Sequence, residues 1–516
     1  MVSGSVRAKA LRLARRRGGH LPFLRQECET FLYFRGPAPY VSVPAPKCRK
    51  SPDFQRLCLT SSTATTRQKP LAAVVLAAGK GTRMKSALPK VLHEVAGRRM
   101  IDHVLAVAAE AGAARRIVVL GKDMDAVAKA VAPAEVAIQD PPLGTGHAVL
   151  AARELLKGFE GRVAVLFADT PLIRPENFAV VEKAMEGGAA IGVLGFRPAD
   201  PAMYGRLIAA KDGTLERVVE FKDATAEERA VGFCNSGIMI VEGKHLVPLL
   251  DKVDNNNAQG EYYLPSIVAI ARAQGLRVVT AEALAEDVMG VDNRVLLARA
   301  EALMQKRLRE RAMIEGATLV DPDTVWFSHD TKLGRDVTIG PNVFFGPKVT
   351  VADNVKINAF CHFEDCTIAE GAIVGPYARL RPGAKIGRDV HIGNFVEIKK
   401  SVIEDGAKAN HLAYIGDARV GAKANIGAGT ITCNYDGFDK HFTDIGAEVF
   451  IGSNSALVAP VKIADGAYVG AGSVITKDVE RDALAVERSD QRQVSGWGAK
   501  FRAKKRAEKA AKAKKE

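Results

Sequence analysis

No uninterrupted apolar stretch in this 516-residue chain reaches the roughly 18 residues that a membrane-spanning helix needs, so a soluble protein is expected. Cysteine is sparse and shows no pairing pattern. Cys28, Cys48, Cys58, Cys234, Cys361, Cys366 and Cys433 are odd in number and lack C-x-x-C spacing, which argues against a zinc site or a disulfide framework and for a reducing compartment. Acidic residues are scarce at both ends. Residues 1–69 hold 14 Lys+Arg against 3 Asp+Glu and residues 499–516 hold 9 against 2, so the net +14 belongs to the ends and the body between them carries −4. That body gives no electrostatic reason to expect nucleic acid.

The first 69 residues also lack the continuous apolar segment of a secretory signal. Their Arg-rich composition, ending in Ser/Thr-rich Thr60 to Thr66, fits an organelle transit peptide, a disordered tail, or misassigned codons ahead of a true start near Thr66. Composition favours the last two. At the other end, the alternation of Lys/Arg with Ala from Lys500 onward reads as a solvated tail. A hydrophobic content of 47% with 26% charge is ordinary for globular protein, and 516 residues imply two or three domains.

What organises the chain is the stretch from Leu71 to Lys90, LAAVVLAAGKGTRMKSALPK. Six apolar residues fit a strand buried on both faces, and Gly79, Gly81 and Thr82 end it in a glycine-rich turn. Glycine lets the backbone amides approach a ligand, and Arg83 and Lys90 add positive charge beside them, a combination suited to a polyphosphate. From Leu71 to about Ile240, apolar runs at Arg116–Leu120, Val136–Ile138, Val163–Phe167, Ile191–Phe196 and Gly237–Val241 alternate with helix-like stretches. This pattern predicts a mostly parallel sheet covered on both faces, with ligands beyond the carboxyl ends of the strands. Asp169 follows one such strand, either as a turn cap before Pro171 or as a metal ligand. Asp292, in Gly290–Arg294, is the second carboxylate that a Mg2+ site would need.

The full string through Leu88-Pro89-Lys90 resembles the signature of the sugar-phosphate nucleotidyltransferases. Together with the downstream motifs, residues 70 to 490 resemble the bifunctional N-acetylglucosamine-1-phosphate uridylyltransferase and glucosamine-1-phosphate acetyltransferase family. The resemblance implies that Leu76, Ala77, Ala78, Gly79, Gln139, Gly144 and Thr145 bind UTP, with Arg83 and Lys90 on its phosphates. It implies Gly205, Glu220 and Asn235 on the amino-sugar, Asp169 and Asp292 on Mg2+, and the polar loop Asn255–Tyr263 near the sugar. Two residues depart from the family's pattern. Asp292 replaces a common Asn, leaving the metal affinity open, and Ala168 replaces a common glycine, which would crowd the nucleotide.

From Arg294 to about Glu315, apolar residues at helical spacing without glycine or proline read as a helical linker. Beyond it the period is six, and neither 3.6 nor 2 fits. Aliphatic or aromatic residues recur at Leu333, Ile339, Phe345, Val351 and Ile357, then at Ile368, Val374, Leu380, Ile386, Ile392 and Ile398. Tyr414, Val420 and Ile426 continue the series, and Ile445, Ile451, Leu457, Ile463, Val469 and Ile475 complete it. A six-residue unit with a small residue after the aliphatic one is the mark of a parallel β-helix. The resemblance adds that it coils left-handed and that chains associate as homotrimers. The fold expected is thus a Rossmann-like α/β nucleotidyltransferase domain followed by a left-handed parallel β-helix. Its segments are an extension at 1–69, the uridylyltransferase domain at 70–293, a linker at 294–316, the β-helix acetyltransferase domain at 317–487 and a basic tail at 488–516.

The register breaks at Lys399–Ala413 and at Ile431–Asp444, which reads as two loops, the usual seats of function on a rigid rod. The first ends in Asn410-His411-Leu412-Ala413-Tyr414. A histidine titrates near neutral pH, as deprotonating an ammonium before acyl transfer requires. The resemblance makes His411 that general base. It places Arg381, Lys399, Tyr414 and Asn425 on the sugar phosphate, and Ala428, Asn434, Tyr435, Ser453, Ala471 and Arg488 on acetyl-CoA, with Asn434 and Ser453 as oxyanion donors. The function implied is synthesis of UDP-N-acetylglucosamine from glucosamine-1-phosphate, acetyl-CoA and UTP by a cytoplasmic enzyme. Two other readings are weighed. A single-activity nucleotidyltransferase is opposed by His411 and the Asn434-Tyr435 loop, and a non-catalytic exchange-factor scaffold by intact Arg83, Lys90 and Asp169.

Overall fold

The computed structural model describes residues 69–513, and the expectations for the basic N-terminal extension lie outside the described residues. Leu71–Leu76 is buried along its whole length. Its alternate residues feed two cores, Ala73 and Val75 on one face of the sheet and Ala72 and Val74 on the other, which is why the run is continuously apolar. The strand sits inside a sheet ordered Val278–Ala283, Ile191–Phe196, Cys234–Glu242, Arg162–Phe167, Leu71–Leu76, Ala113–Gly121, Glu135–Gln139. Within this order Cys234–Glu242 runs against its neighbours, and Arg206–Ala209 and Leu215–Val219 add an antiparallel pair beside it, so the mostly parallel sheet expected from the alternation is present. Backbone bonds carry the pairing past the strand ends, from Ala77 N to Val119 O at 2.9 Å and from Ala168 N to Leu76 O at 3.0 Å. The loops beyond those ends are thereby gathered at one edge.

A helix, Arg294–Ile314, leads out of this head, capped by the Asn293 side chain, which accepts from Val295 N and Leu296 N at 2.9 and 3.0 Å. It is more than a spacer. Leu308 and Ala312 belong to the core of the second domain, and Gln305 makes a reciprocal pair with Phe327, Nε2 to the carbonyl at 2.6 Å and the amide to Oε1 at 2.8 Å. A solenoid's first coil has no neighbour on one side, and this helix covers it.

The second domain is a three-sided prism of short parallel strands in sheets of ten, eight and eight. Equivalent inward residues stack from coil to coil, as in Phe345, Phe363, Leu380, Ile398 and Ile415 down one face. The structure corrects the sequence at the first break, because Lys399–Ala413 is no loop. Strands Glu397–Lys399, Val402–Ile403, Lys408–His411 and Tyr414–Gly416 continue the three sheets without interruption. The buried residues are Ile398, Ile403, Ala409 and Ile415, so one side of the coil is a residue shorter than six and a strict count loses the thread. Tyr414, placed inward by that count, lies beside buried Ile415 and projects outward, since a one-residue slip exchanges the faces of a strand. The second break is real. Between Cys433 and Thr443 the chain leaves the prism in a short excursion closed by a Tyr435–Lys440 bridge. The basic C-terminal stretch forms a helix, Trp497–Ala513, exposed throughout. Among the described residues no helix is long and apolar enough to cross a membrane.

Candidate active sites

At the carboxyl edge of the head two pockets meet. The first, about 280 Å³, is lined by Leu76, Ala77, Ala78, Gly79, Lys90, Gln139, Gly144 and Thr145, the residues expected for UTP, with Phe167, Asp169 and Glu261. The second, about 320 Å³, is lined by Gly205, Glu220 and Asn235, expected for the amino-sugar, with Tyr204, Asp169 and Asp292. Asp169, Thr145 and Phe167 belong to both, so a group in one pocket faces a group in the other across Asp169.

Local geometry explains the glycines. Gly81 has φ +61°, and a Cβ there would stand 2.5 Å from Lys90 Cβ. Gly144 has φ +112°, and its Cβ would meet Tyr262 O at 2.8 Å. Around it, Gly146 N donates to Tyr262 O at 2.7 Å and Tyr262 N to Leu143 O at 2.8 Å. These bonds fasten the Asn255–Tyr263 loop to the turn, and they bring Glu261 to the nucleotide pocket.

Lys90 Nζ bonds to both Asp169 Oδ2 and Asp292 Oδ1, the latter at 3.0 Å. The two aspartates come from loops far apart in sequence, tied by a bond from Val291 N to Asp169 O at 2.8 Å. Burial works against the charged amine of Lys90, but the carboxylates of Asp169 and Asp292 outweigh it and raise its pKa above the ordinary lysine value. Arg83, largely exposed, pairs with Asp292 at 2.9 Å. The carboxylate that replaces the family's usual Asn thus has a cation of its own. Ala168 packs its side chain into the core and is absent from the lining of the nucleotide pocket. Among the described residues no cluster of three or more His, Cys, Asp or Glu could hold a metal. Two converging hard oxygen ligands nevertheless fit Mg2+, which completes its shell with water and phosphate oxygens. Glu220 faces Gly205, whose Cβ would lie 3.3 Å from the carboxylate. Burial, with help from Asp223, raises its pKa above the usual carboxylate value.

On the prism, His411 is exposed at the end of strand Lys408–His411 and faces away from the interior. Its Nδ1 lies 2.8 Å from Asn394 Oδ1, one coil back. An amide oxygen only accepts, so Nδ1 carries the proton and Nε2 presents its lone pair to solvent. Sequence reasoning missed Asn394, because the pairing is made between coils.

From His411 the chain's own ladder lays out a column along one edge. Gly429 N bonds to Leu412 O at 3.1 Å, Asn454 N to Ala428 O at 2.7 Å, Gly472 N to Ser453 O at 2.8 Å, and Arg488 Nη1 to Ala471 O at 2.9 Å. Ala428, Ser453, Ala471 and Arg488 therefore descend from His411 at about 4.8 Å per coil, a track for an elongated ligand. On the adjoining face Arg381 and Lys399 occupy successive rungs above Gly416, and Arg381 bonds to Glu397, also unforeseen, at 2.8 Å. Gly416 keeps space for its neighbours, since a Cβ would stand 2.4 Å from Tyr414 Oη and 2.9 Å from Asn434 Nδ2.

Three placements could not be read from the sequence. Asn434 is buried with one N–H of its amide donating to Asp417 Oδ2, which fixes the orientation of the group and leaves its second N–H, while Ser453 is exposed. Tyr435 is exposed in the excursion, its hydroxyl on Gly437 O at 2.5 Å. Asn425 pairs with Lys408 on the face that carries His411 rather than with Arg381 and Lys399.

Comparison with known proteins agrees with this division. Residues 73–229 match the MobA-like NTP transferase domain, and residues 365–400 and 442–477 match the bacterial transferase hexapeptide (six repeats). The bifunctional protein GlmU of Paramagnetospirillum magneticum is 57% identical over 86% of this chain and 99% of its own length. That of Azorhizobium caulinodans is 55% identical over 84% of the chain and 98% of its length, and that of Rhodospirillum rubrum 58% over 84% and 97%. Similarity of this extent to proteins named as bifunctional sets aside the single-activity and scaffold readings, and the chain belongs to the family of the bifunctional protein GlmU.

Proposed function

We propose that the prism acetylates glucosamine-1-phosphate with acetyl-CoA and that the head then joins N-acetylglucosamine-1-phosphate to UMP from UTP, giving UDP-N-acetylglucosamine and pyrophosphate. The observation that carries the reading is the convergence of Lys90, Asp169 and Asp292 where the two head pockets meet. In the head the sugar-phosphate oxygen attacks the α-phosphorus in line and expels pyrophosphate, with no protein nucleophile. Gly79 and its neighbours hold the triphosphate by backbone amides, Gln139, Gly144 and Thr145 hold the uridine side, and Arg83 and Lys90 balance charge that builds on the phosphates. Asp169 and Asp292 would hold a Mg2+, which would neutralise charge on the phosphate oxygens.

In the prism His411 Nε2 takes the proton as the sugar amine attacks the thioester carbonyl, and coenzyme A leaves as the thiol. Asn394 positions that nitrogen. Arg381, Lys399 and Tyr414 hold the sugar phosphate, and Ala428, Ser453, Ala471 and Arg488 line the acetyl-CoA track. Asn425 stands on another face from Arg381 and Lys399, and the exposed rings of Phe360, Tyr377 and Phe395 stack at 4.9 and 5.1 Å along one corner. A homotrimer, in which a neighbouring prism covers that corner and completes the site, accounts for both; light scattering tests it by returning the trimer mass. These substrates place the enzyme in the cytoplasm, supplying precursor for envelope polysaccharide.

The reading is tested by incubating the protein with glucosamine-1-phosphate, acetyl-CoA, UTP and Mg2+, omitting one component at a time. Free thiol should need only the first two, whereas pyrophosphate should need all four. Pyrophosphate formed from glucosamine-1-phosphate without acetyl-CoA would overturn the order of the steps.

Glu220 adds a pH prediction. Its raised pKa means that it loses its charge at a higher pH than an ordinary carboxylate as the medium is acidified. The KM for N-acetylglucosamine-1-phosphate should therefore climb as pH falls, and Glu220→Gln should give a KM roughly tenfold higher that no longer varies with pH over this range. A KM that stays pH-dependent in the variant would exclude Glu220 as the cause.

A further inference from the structure

The largest of these cavities lies away from both sites. An open hollow of about 530 Å³ is bordered by the Glu94–Arg99 hairpin, helix Met100–Glu110, the start of strand Ala113–Gly121, residues 130–134 and His329 of the prism. It shares no residue with either pocket at the carboxyl edge. Its lining combines the apolar Leu105, Ala106, Ala109 and Val131 with the cations Arg98, Arg99 and Arg116.

Their charges are not equally balanced. Arg99 is engaged by Asp102, Nε to Oδ2 at 2.5 Å, and by Ala130 O at 3.0 Å. Arg116 has only the Ala113 carbonyl, at 3.2 Å. Among the described residues neither Arg98 nor Arg116 has a carboxylate partner, and Glu94, the other acid in the lining, is exposed. Partly desolvated guanidinium groups without a counter-charge are costly, and their planar donor forks match the oxygens of a phosphate.

We propose that this cavity is a second ligand site, for the phosphate monoester of a small, partly apolar molecule. Arg98 and Arg116, neither of them paired with a carboxylate, supply the donors for the phosphate, and the alanine and leucine side chains of the lining take the organic body. Its place in the fold gives it a route to the chemistry. Ala96, in the turn of the hairpin, accepts from His329 N at 2.9 Å and donates to Glu301 of the linker helix at 2.6 Å. The same hairpin begins two residues after the Lys90–Leu92 turn that carries the active-site lysine. A ligand here touches the junction of head and prism. The proposal stands on the cavity and does not depend on the assignment of either catalytic site.

The test is titration of the full chain with phenyl phosphate, monitored by ligand-observed NMR while saturating UTP and glucosamine-1-phosphate occupy the other phosphate sites. Binding with a Kd of about 1 mM is expected to persist under those conditions. Arg98→Gln with Arg116→Gln should weaken it at least about tenfold and leave acetyl transfer unchanged, and Lys90→Met should not weaken it. Displacement of phenyl phosphate by the two substrates, equal binding by the double variant, or no binding to the parent protein would each overturn the proposal. Because the displacement experiment uses the unaltered protein, it decides even if the double variant folds poorly.

Discussion

Asp169→Asn lowers uridylyl transfer by about a thousandfold while acetyl transfer keeps its parental rate. The substitution preserves shape. The backbone carbonyl of Asp169 still receives the bond from Val291 N that draws the two aspartate loops together, so the fold should hold. What disappears is one of the two negative charges on Lys90, and with it the site where negative groups gather a cation at the wall common to both head pockets. Phosphoryl transfer depends almost wholly on positioning and charge neutralisation, so loss of a central charge falls on kcat more than on binding. Pyrophosphate release from UTP and N-acetylglucosamine-1-phosphate measures the first activity, and thiol release from acetyl-CoA measures the second. Equal loss of both would contradict separate centres, and a rate within a few-fold of parental would remove Asp169 from the machinery.

His411→Ala gives the mirror result, acetyl transfer reduced by about 10²- to 10⁴-fold with uridylyl transfer intact. His411 is exposed, so the alanine costs little packing, and an unchanged uridylyl rate reports a sound fold. The same experiment extends to Asn394, whose side chain bonds to the imidazole. Asn394→Ala frees the ring and should lower kcat by roughly tenfold. Asn394→Asp keeps an acceptor on Nδ1 and adds a negative charge. It should restore most of the rate and move the pH profile of kcat/KM to higher pH, because a carboxylate favours the protonated ring. A merely structural asparagine would show no such displacement. Acetylation undiminished in His411→Ala would refute the assignment of the base.

How far these sites were legible before the fold was known depended on how local each one is. The turn from Leu76 to Gly79 could be read directly, since a strand buried on both faces must be apolar at every position and a glycine after it marks where the backbone opens. Lys90 was legible as a cation but not as the partner of two aspartates, because Asp169 and Asp292 meet only through a bond between loops at separate strand ends. On the prism the count of six found the domain and then failed at Ile398 to Ile403, where one side is five residues long. A second five-residue side, from Ile415 to Val420, decided whether Tyr414 or Ile415 points inward. Asn394 left no mark in the sequence because its partner lies 17 residues on, one coil away.

Periodicity and composition by themselves determined the two architectures, the strand that ends in a glycine-rich turn, and the concentration of basic charge at the chain ends. Each of these arises from burial or charge along a short run of chain. Only the tertiary structure decided that Lys90 is held between two carboxylates, that the residues proposed for acetyl-CoA form a column below His411, that Asn434's amide bonds to Asp417, and that two arginines without carboxylate partners line one hollow. Those facts depend on which distant segments share an edge, and that is fixed by the packing of whole sheets and coils, which no local pattern encodes.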